Sequence, residues 1–192
     1  MTEQVGLDRA FWEEFPDFGS VCVSDACARC ADFADDLATL PRDAAVQRIS
    51  VEYTQLFVGP PRPAAPPWET MYRGEGGTVG FGQATSDMRA LLRAAGLELR
   101  NENNQYEDHI GIELLYLSVL CSRMAAAEQK GIRPDAESAV TSMQIMRFAE
   151  DYPLSWIDKL SAAIAKAAPA GYYVHLLDVA RSVVSRLREL LS

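Results

Sequence analysis

A chain of 192 residues, 48% hydrophobic and 23% charged, is long enough for one sizeable core and has the composition of an ordinary globular protein. Its formal charge of −9 lacks the basic footprint that nucleic-acid binding requires, so nucleic acid is excluded as a partner; an acidic surface suits solubility or a cationic ligand. No run approaches the roughly 18 consecutive apolar residues of a membrane span, and the first residues, MTEQVGLDRAFWEEF, show no basic stretch leading into an apolar one. The expectation is a cytoplasmic protein with no stable membrane insertion.

The first predicted element is a helix over 25–39, with Asp25 as its cap after Ser24. Cys22, Cys27 and Cys30 are spaced C-x4-C-x2-C, with Cys121 far downstream, which formally matches a plant-type iron–sulfur pattern. The surrounding SDACARCADFADDLATL is helical in character and lacks the glycines that wrap a cluster. Cys27 and Cys30 therefore read as small buried hydrophobes on one helix face. A second helix spans 43–57, its stripe formed by Val46, Ile49, Tyr53, Leu56 and Phe57, and it ends at Gly59.

GPPRPAAPPWETMY follows, with five of the ten prolines between 59 and 67. Proline fixes φ and removes a backbone donor, so this is neither helix interior nor central strand. Yet it ends in Trp68, Met71 and Tyr72, which a solvated loop would not need. Gly74, Gly76, Gly77, Gly80 and Gly82 come next; without G-K-[ST] or a preceding strand they make no phosphate cradle and read as a flexible continuation of the loop.

A helix from about Ser86 through Ala95 carries Met88, Leu91, Leu92 and Ala95, with Gly96 in the position of a terminating glycine. The longest signal is 106–131, apolar almost all round, which predicts a helix central to a bundle. At its start, Glu107 and Asp108 suit the positive end of the helix dipole. His109 and Glu113 stand four apart and, with Tyr116 and Arg123, predict a polar seam facing water or a groove. Further helices are predicted over 135–151, opened by Asp135, then 154–167 and 172–191, with Pro153 interrupting the first pair. No segment alternates with period two, so the fold class is all-α: a compact bundle forming a single domain over 1–192.

For chemistry, one histidine and two carboxylates, Asp108, His109 and Glu113, are a thin ligand set, and neither H-E-x-x-H nor G-x-S-x-G occurs. A small metal-dependent hydrolase using those three residues is the alternative from the enzyme class. An iron–sulfur carrier and a purely structural helical subunit are further readings.

Two segments carry a resemblance. YTQLFVGPPRPAAPPWETMY resembles the Y-x-x-L-F-x-G-P…P-P-W-E-S-x-Y signature, and NQYEDHIGIELLYLSVL the N-E-P-x-D-H segment, of the TorD/DmsD/NarJ family of redox-enzyme maturation chaperones, nearest its DmsD/TorD branch. RFAEDYPLSWIDKLSAAI…GYYVHLLDVA extends the likeness, which is strongest over 43–190. Two positions depart: the family's Glu-Pro is Gln105-Tyr106 here, and its His-Leu before the tryptophan is Pro153-Leu154. The resemblance implies a TorD-like helical domain and a chaperone of anaerobic-respiration enzymes without catalytic activity. Its partner would be the twin-arginine signal peptide or N-terminal region of a molybdenum-containing oxidoreductase subunit. It implies peptide-binding positions at Tyr53, Leu56, Phe57, Pro67, Trp68, Glu69, Tyr72, Asp108 and His109. The physical rationale is two cations followed by an apolar stretch, met by carboxylates (Glu69, Glu107, Asp108) and by an aromatic strip stiffened by prolines. No cofactor and no metal are called for. The resemblance allows a homodimer, and the residues neither require nor forbid one.

Overall fold

The computed structural model describes residues 8–59, 61–73, 80–99, 105–131 and 140–192. Helices dominate it: α1 (Arg9–Glu14), α2 (Val21–Ala38), α3 (Arg42–Tyr53), α4 (Gln83–Ala94), α5 (Ile110–Gln129), α6 (Ser142–Asp151), α7 (Pro153–Ala167) and α8 (Tyr172–Leu191). Among the described residues there is no strand, only one isolated bridge between Trp68 and His109, so the chain is all-α. Contacts gather into two compact units, one from 1–66 with 158–186 and the other from 67–157 with 187–192.

In the first unit, α1 packs on α2 through Trp12, and Val23, Cys27, Cys30, Phe33 and Leu37 line the inner face of α2. Helix α2 starts at Val21 after Ser20, not at the predicted Asp25; Val21 and Cys22 are exposed, so the first turn shows no apolar pattern to read. Burial pushes the Cys30 thiol up to about 12, the behaviour of a packed thiol rather than a reactive one. Glu52 is buried at the end of α3, and its two oxygens accept the backbone N–H groups of Tyr172 and Tyr173, each at 3.0 Å. A carboxylate on free N–H groups at the positive end of a helix is a strong cap. Gly171 makes room for it, because a Cβ there would lie 2.2 Å from Glu52 Oε1.

The predicted helix over 43–57 ends as α3 at Tyr53 and continues as a single π turn, Thr54–Val58. Gly59 then turns with φ of 81°, where its missing Cβ avoids the Arg62 carbonyl. The proline stretch doubles back: Ala64 N–H donates to Gln55 O at 3.2 Å and Ala65 N–H to Leu56 O at 2.8 Å.

In the second unit, α4 ends with the predicted glycine stop. Gly96 has φ of 66° and Leu97 N–H reaches Leu92 O at 2.8 Å. Of the loop glycines, Gly74, Gly76 and Gly77 lie outside the described residues. Gly80 and Gly82 have steric reasons: added Cβ atoms would lie 2.2 Å from the Tyr106 ring and 2.3 Å from Thr70. Asp135 and the predicted start of its helix also fall outside the described residues; α6 begins at Ser142 under a capping box of Thr141 and Gln144.

Helix α5 is long and apolar enough by length and mean hydropathy (1.5) to cross a bilayer. It is not enclosed on all sides as its composition predicts. Ile110, Glu113, Tyr116, Leu117 and Leu120 face inward, while Leu115 is 63% exposed.

Candidate functional site

The segment after the proline stretch runs antiparallel to the entry of α5. Ile110 N–H donates to Pro67 O and Glu69 N–H to Asp108 O, each at 3.0 Å. These bonds form the Trp68–His109 bridge and set the two rings edge to face, 5.9 Å apart. The aromatic loop and the acidic helix mouth, separated by some forty residues of chain, therefore share one place.

Asp108 is fully buried. One of its oxygens accepts from Thr70 N–H at 3.0 Å and Thr70 Oγ1 at 2.5 Å, and the other from Thr85 Oγ1 at 3.0 Å. This carboxylate ties the short 3-10 turn Glu69–Met71 and the first turn of α4 to the start of α5. Its neighbour Glu107 points the other way, into a two-pronged pair with Arg89 at 2.6 and 3.0 Å, which holds its carboxyl below the usual range.

His109 caps α5: Nδ1 accepts from Gly111 N–H at 3.0 Å, so that nitrogen carries no proton and Nε2 does. Burial lowers its pKa to about 4, against which the Asp108 charge pulls upward. The ring is a neutral donor near pH 7.

Glu69 and Glu113 are also fully buried. Glu69 Oε1 takes Arg73 Nε at 2.7 Å and Ser155 Oγ at 3.4 Å. Glu113 Oε2 accepts from Trp156 Nε1 at 3.0 Å, and Trp156 stacks on Tyr72 with centroids 5.4 Å apart. Burial raises the carboxyl pKa of Glu69, with Arg73 opposing; it raises that of Glu113 well above the ordinary value, reinforced by the charge of Glu69. The polar seam predicted for α5 is thus largely internal: Glu113 and Tyr116 are buried and only Arg123 is exposed. The sequence offered no local sign of this, because every partner comes from a distant segment.

The remaining predicted residues, Tyr53, Leu56 and Phe57, belong to the first unit. Leu56 is a core residue at 1% exposure. Tyr53 is 41% exposed and forms, with Phe57 and Tyr173, an aromatic cluster at centroid distances of 5.0–6.0 Å. Sequence reasoning missed Thr70, Thr85, Arg73 and Trp156, which surround the acids of the second unit. Only Thr70 carried a hint, since it sits beside Glu69 in the loop segment itself.

The hydrolase alternative is not supported by this geometry. Asp108 is occupied by three donors, the Nδ1 of His109 by a backbone N–H, and one oxygen of Glu113 by Trp156. Among the described residues no group of three or more His, Cys, Asp and Glu side chains could hold a metal ion. A cavity of about 530 Å³ elsewhere in the second unit is lined by Leu91, Tyr116, Leu120, Arg123, Phe148 and Tyr152 among others; none of the predicted site residues lines it.

The chain is 29% identical over 133 residues to the chaperone protein TorD of Photobacterium profundum, covering 69% of this chain and 58% of that one. It is 25% identical over 151 residues to the TorD of Aliivibrio salmonicida, covering 79% and 66%. Over 74 residues it is 31% identical to the probable Tat proofreading chaperone DmsD of Haemophilus influenzae, covering 38% and 36%. The matched part therefore spans less than two thirds of the length of these relatives. No solved structure matches the chain. Residues 23–162, most of the chain, match the nitrate reductase delta subunit family, and the chain belongs to that family, the TorD/NarJ group.

Proposed function

We propose that this chain is a cytoplasmic chaperone, not an enzyme, that binds the twin-arginine signal peptide or N-terminal region of a molybdoenzyme catalytic subunit and assists its folding and cofactor insertion before export. The names of its relatives, TorD and a Tat proofreading DmsD, support the class of partner. The observation that carries the reading is the Trp68–His109 bridge, which unites the aromatic loop and the acidic mouth of α5.

The proposed peptide-binding residues divide by what their environment within each unit allows. Trp68 and the neutral Nε2–H of His109 meet the peptide in the second unit, with Glu69 behind them and Pro67, Tyr72 and Asp108 holding the loop. In the first unit the half-exposed Tyr53 and Phe57 take apolar side chains over the buried Leu56. Aromatic anchors of this kind dominate peptide affinity because they desolvate area at small entropic cost.

Titration calorimetry with a synthetic twin-arginine leader of a molybdoenzyme subunit from the same genome tests the proposal. A lysine-for-arginine leader is the control. Trp68→Ala and the Tyr53→Ala/Phe57→Ala pair should each weaken binding roughly tenfold or more. If no such leader binds better than its control, the reading fails.

A further inference from the structure

Among the described residues, three carboxylates, Glu69, Asp108 and Glu113, sit fully buried in the second unit, and Arg73 is the one cation hydrogen-bonded to any of them. The account is incomplete at two atoms. Glu69 Oε2 and Glu113 Oε1 are buried without a hydrogen-bond partner. Buried carboxylate oxygens are ordinarily satisfied, so two such atoms need a reason.

The way Arg73 sits supplies one. Its Nε and Nη2 both go to the same oxygen, Glu69 Oε1, at 2.7 and 2.5 Å, instead of spanning the two oxygens as a guanidinium–carboxylate fork does. Nη2 also reaches the Asp151 carbonyl at 3.3 Å, and the guanidinium lies 6.0 Å from the Tyr152 ring centroid. A carboxylate, a backbone carbonyl and an aromatic face together make a three-sided guanidinium seat. The chain's own arginine occupies it from the exposed side, with 40% of its side chain in solvent.

We propose that Arg73 is an internal stand-in for a ligand arginine: it fills the seat of Glu69, Asp151 and Tyr152 in the free protein and is displaced by the guanidinium of a bound peptide. The incoming group gains where Arg73 is poor, by forking to both oxygens of Glu69. Since Arg73 lies four residues beyond Glu69, its release would also free the end of the aromatic loop. The biological ligand rests on the peptide-binding reading above, but the exchange is testable without any peptide.

The test is chemical rescue of Arg73→Ala by ethylguanidinium chloride, followed by thermal unfolding. With the probe at about ten times its dissociation constant for the variant, the variant should gain roughly 3–6 °C, while the wild-type protein, whose own Arg73 competes for the seat, gains less. Ethylammonium and ethylurea, which lack either the fork or the charge, should give no rise. Arg73→Ala/Glu69→Gln should not respond, because the seat no longer bears its charge. Should Arg73→Ala fail to fold, Arg73→Lys carries the same test, since an ammonium cannot span both oxygens. Equal rises with ethylurea, an equal rise in the double variant, or no rise in the variant that folds would each overturn the proposal. Rescue without leader binding would sink the peptide reading alone; leader binding without rescue would sink the exchange alone.

Discussion

Asp108 separates two roles that a sequence motif cannot tell apart, ligand contact and internal fastener. If it is a fastener, Asp108→Ala strands three donors: Thr70 N–H, Thr70 Oγ1 and Thr85 Oγ1. Each unsatisfied buried donor costs about 1–3 kcal/mol. The two hydroxyls stand 3.4 Å apart and can turn toward each other, which recovers part of that loss. Removing a negative charge near Glu69 and Glu113 recovers more, since Asp108 raises the pKa of both. The net expectation is roughly 2–4 kcal/mol, a fall in Tm of about 4–16 °C for a chain of this length. Asp108→Asn should behave differently. Its carbonyl can keep both Thr70 donors while its amide donates to Thr85, whose hydroxyl accepts as readily as it donates. The loss should stay below about 1 kcal/mol. Urea unfolding followed by circular dichroism gives both stabilities, and calorimetry on the stable Asp108→Asn protein then isolates the charge. The fastener argument is refuted by an Asp108→Ala protein within about 2 °C of the wild type, or by Asn proving as harmful as Ala.

Three further substitutions test the buried polar groups, two in the second unit and one in the first. In the pH dependence of stability, His109 and Glu113 act with opposite sign. The folded pKa of His109, about 4, lies below its ordinary 6.5, so the unfolded chain binds more protons between those values and stability is lost as pH falls through that window; His109→Asn, which keeps a capping acceptor, should flatten the loss. Glu113 is raised, so the folded chain binds more protons above pH 4.5 and stability falls as pH rises; Glu113→Gln should remove that fall and leave the protein at least as stable at pH 7, by denaturant titration across pH. Gly171→Ala should destabilise by about 2–4 kcal/mol, because its Cβ would sit 2.2 Å from Glu52 Oε1 and displace a buried carboxylate from two N–H groups. A Gly171→Ala protein with unchanged Tm would show that Glu52 gives way without losing its bonds to Tyr172 and Tyr173, and would refute the expected cost.

Much of the helical framework was legible because it is local. The stop at Gly96, the break at Pro153 and the span of α8 each depend on a few neighbouring residues, and the structure places them where the sequence does. Helix α1 and the first turn of α2 were not legible, since six residues and an exposed Val21 carry no readable stripe. The apolar surround of α5 misled for a related reason: hydropathy records what a helix could bury, whereas burial needs a partner on every side, and Leu115 is left 63% exposed. The acids were the hardest. Glu107 and Asp108 are adjacent and chemically alike, yet one pairs with an arginine near the surface and the other is sealed among threonines 23 and 38 residues away. No local pattern distinguishes them, because the distinction is made by tertiary contacts.

That contrast explains why the loop and helix segments occur together in one chain. A proline-rich loop fixes its own φ angles but not its place, and a helix mouth has free N–H groups but no claim on a loop. The Pro67–Ile110 and Glu69–Asp108 backbone bonds, with Asp108 across Thr70 and Thr85, fasten the two. Residues that look from the sequence like a rim of acids awaiting a basic peptide are therefore committed before any ligand arrives: Asp108 to threonines, Glu107 to Arg89, Glu69 to Arg73. On the proposed reading the charge of these acids enters recognition by exchange, and of the three only Glu69 combines a partly exposed cationic partner with an oxygen left over. Glu107 already uses both of its oxygens on one arginine, and Asp108 has no cation to give up. On the peptide-binding reading proposed above, selectivity for arginine over lysine would run through Glu69, whereas Trp68 in the second unit and the aromatic cluster around Tyr53 in the first would each contribute affinity for apolar groups. The two properties should separate by mutation.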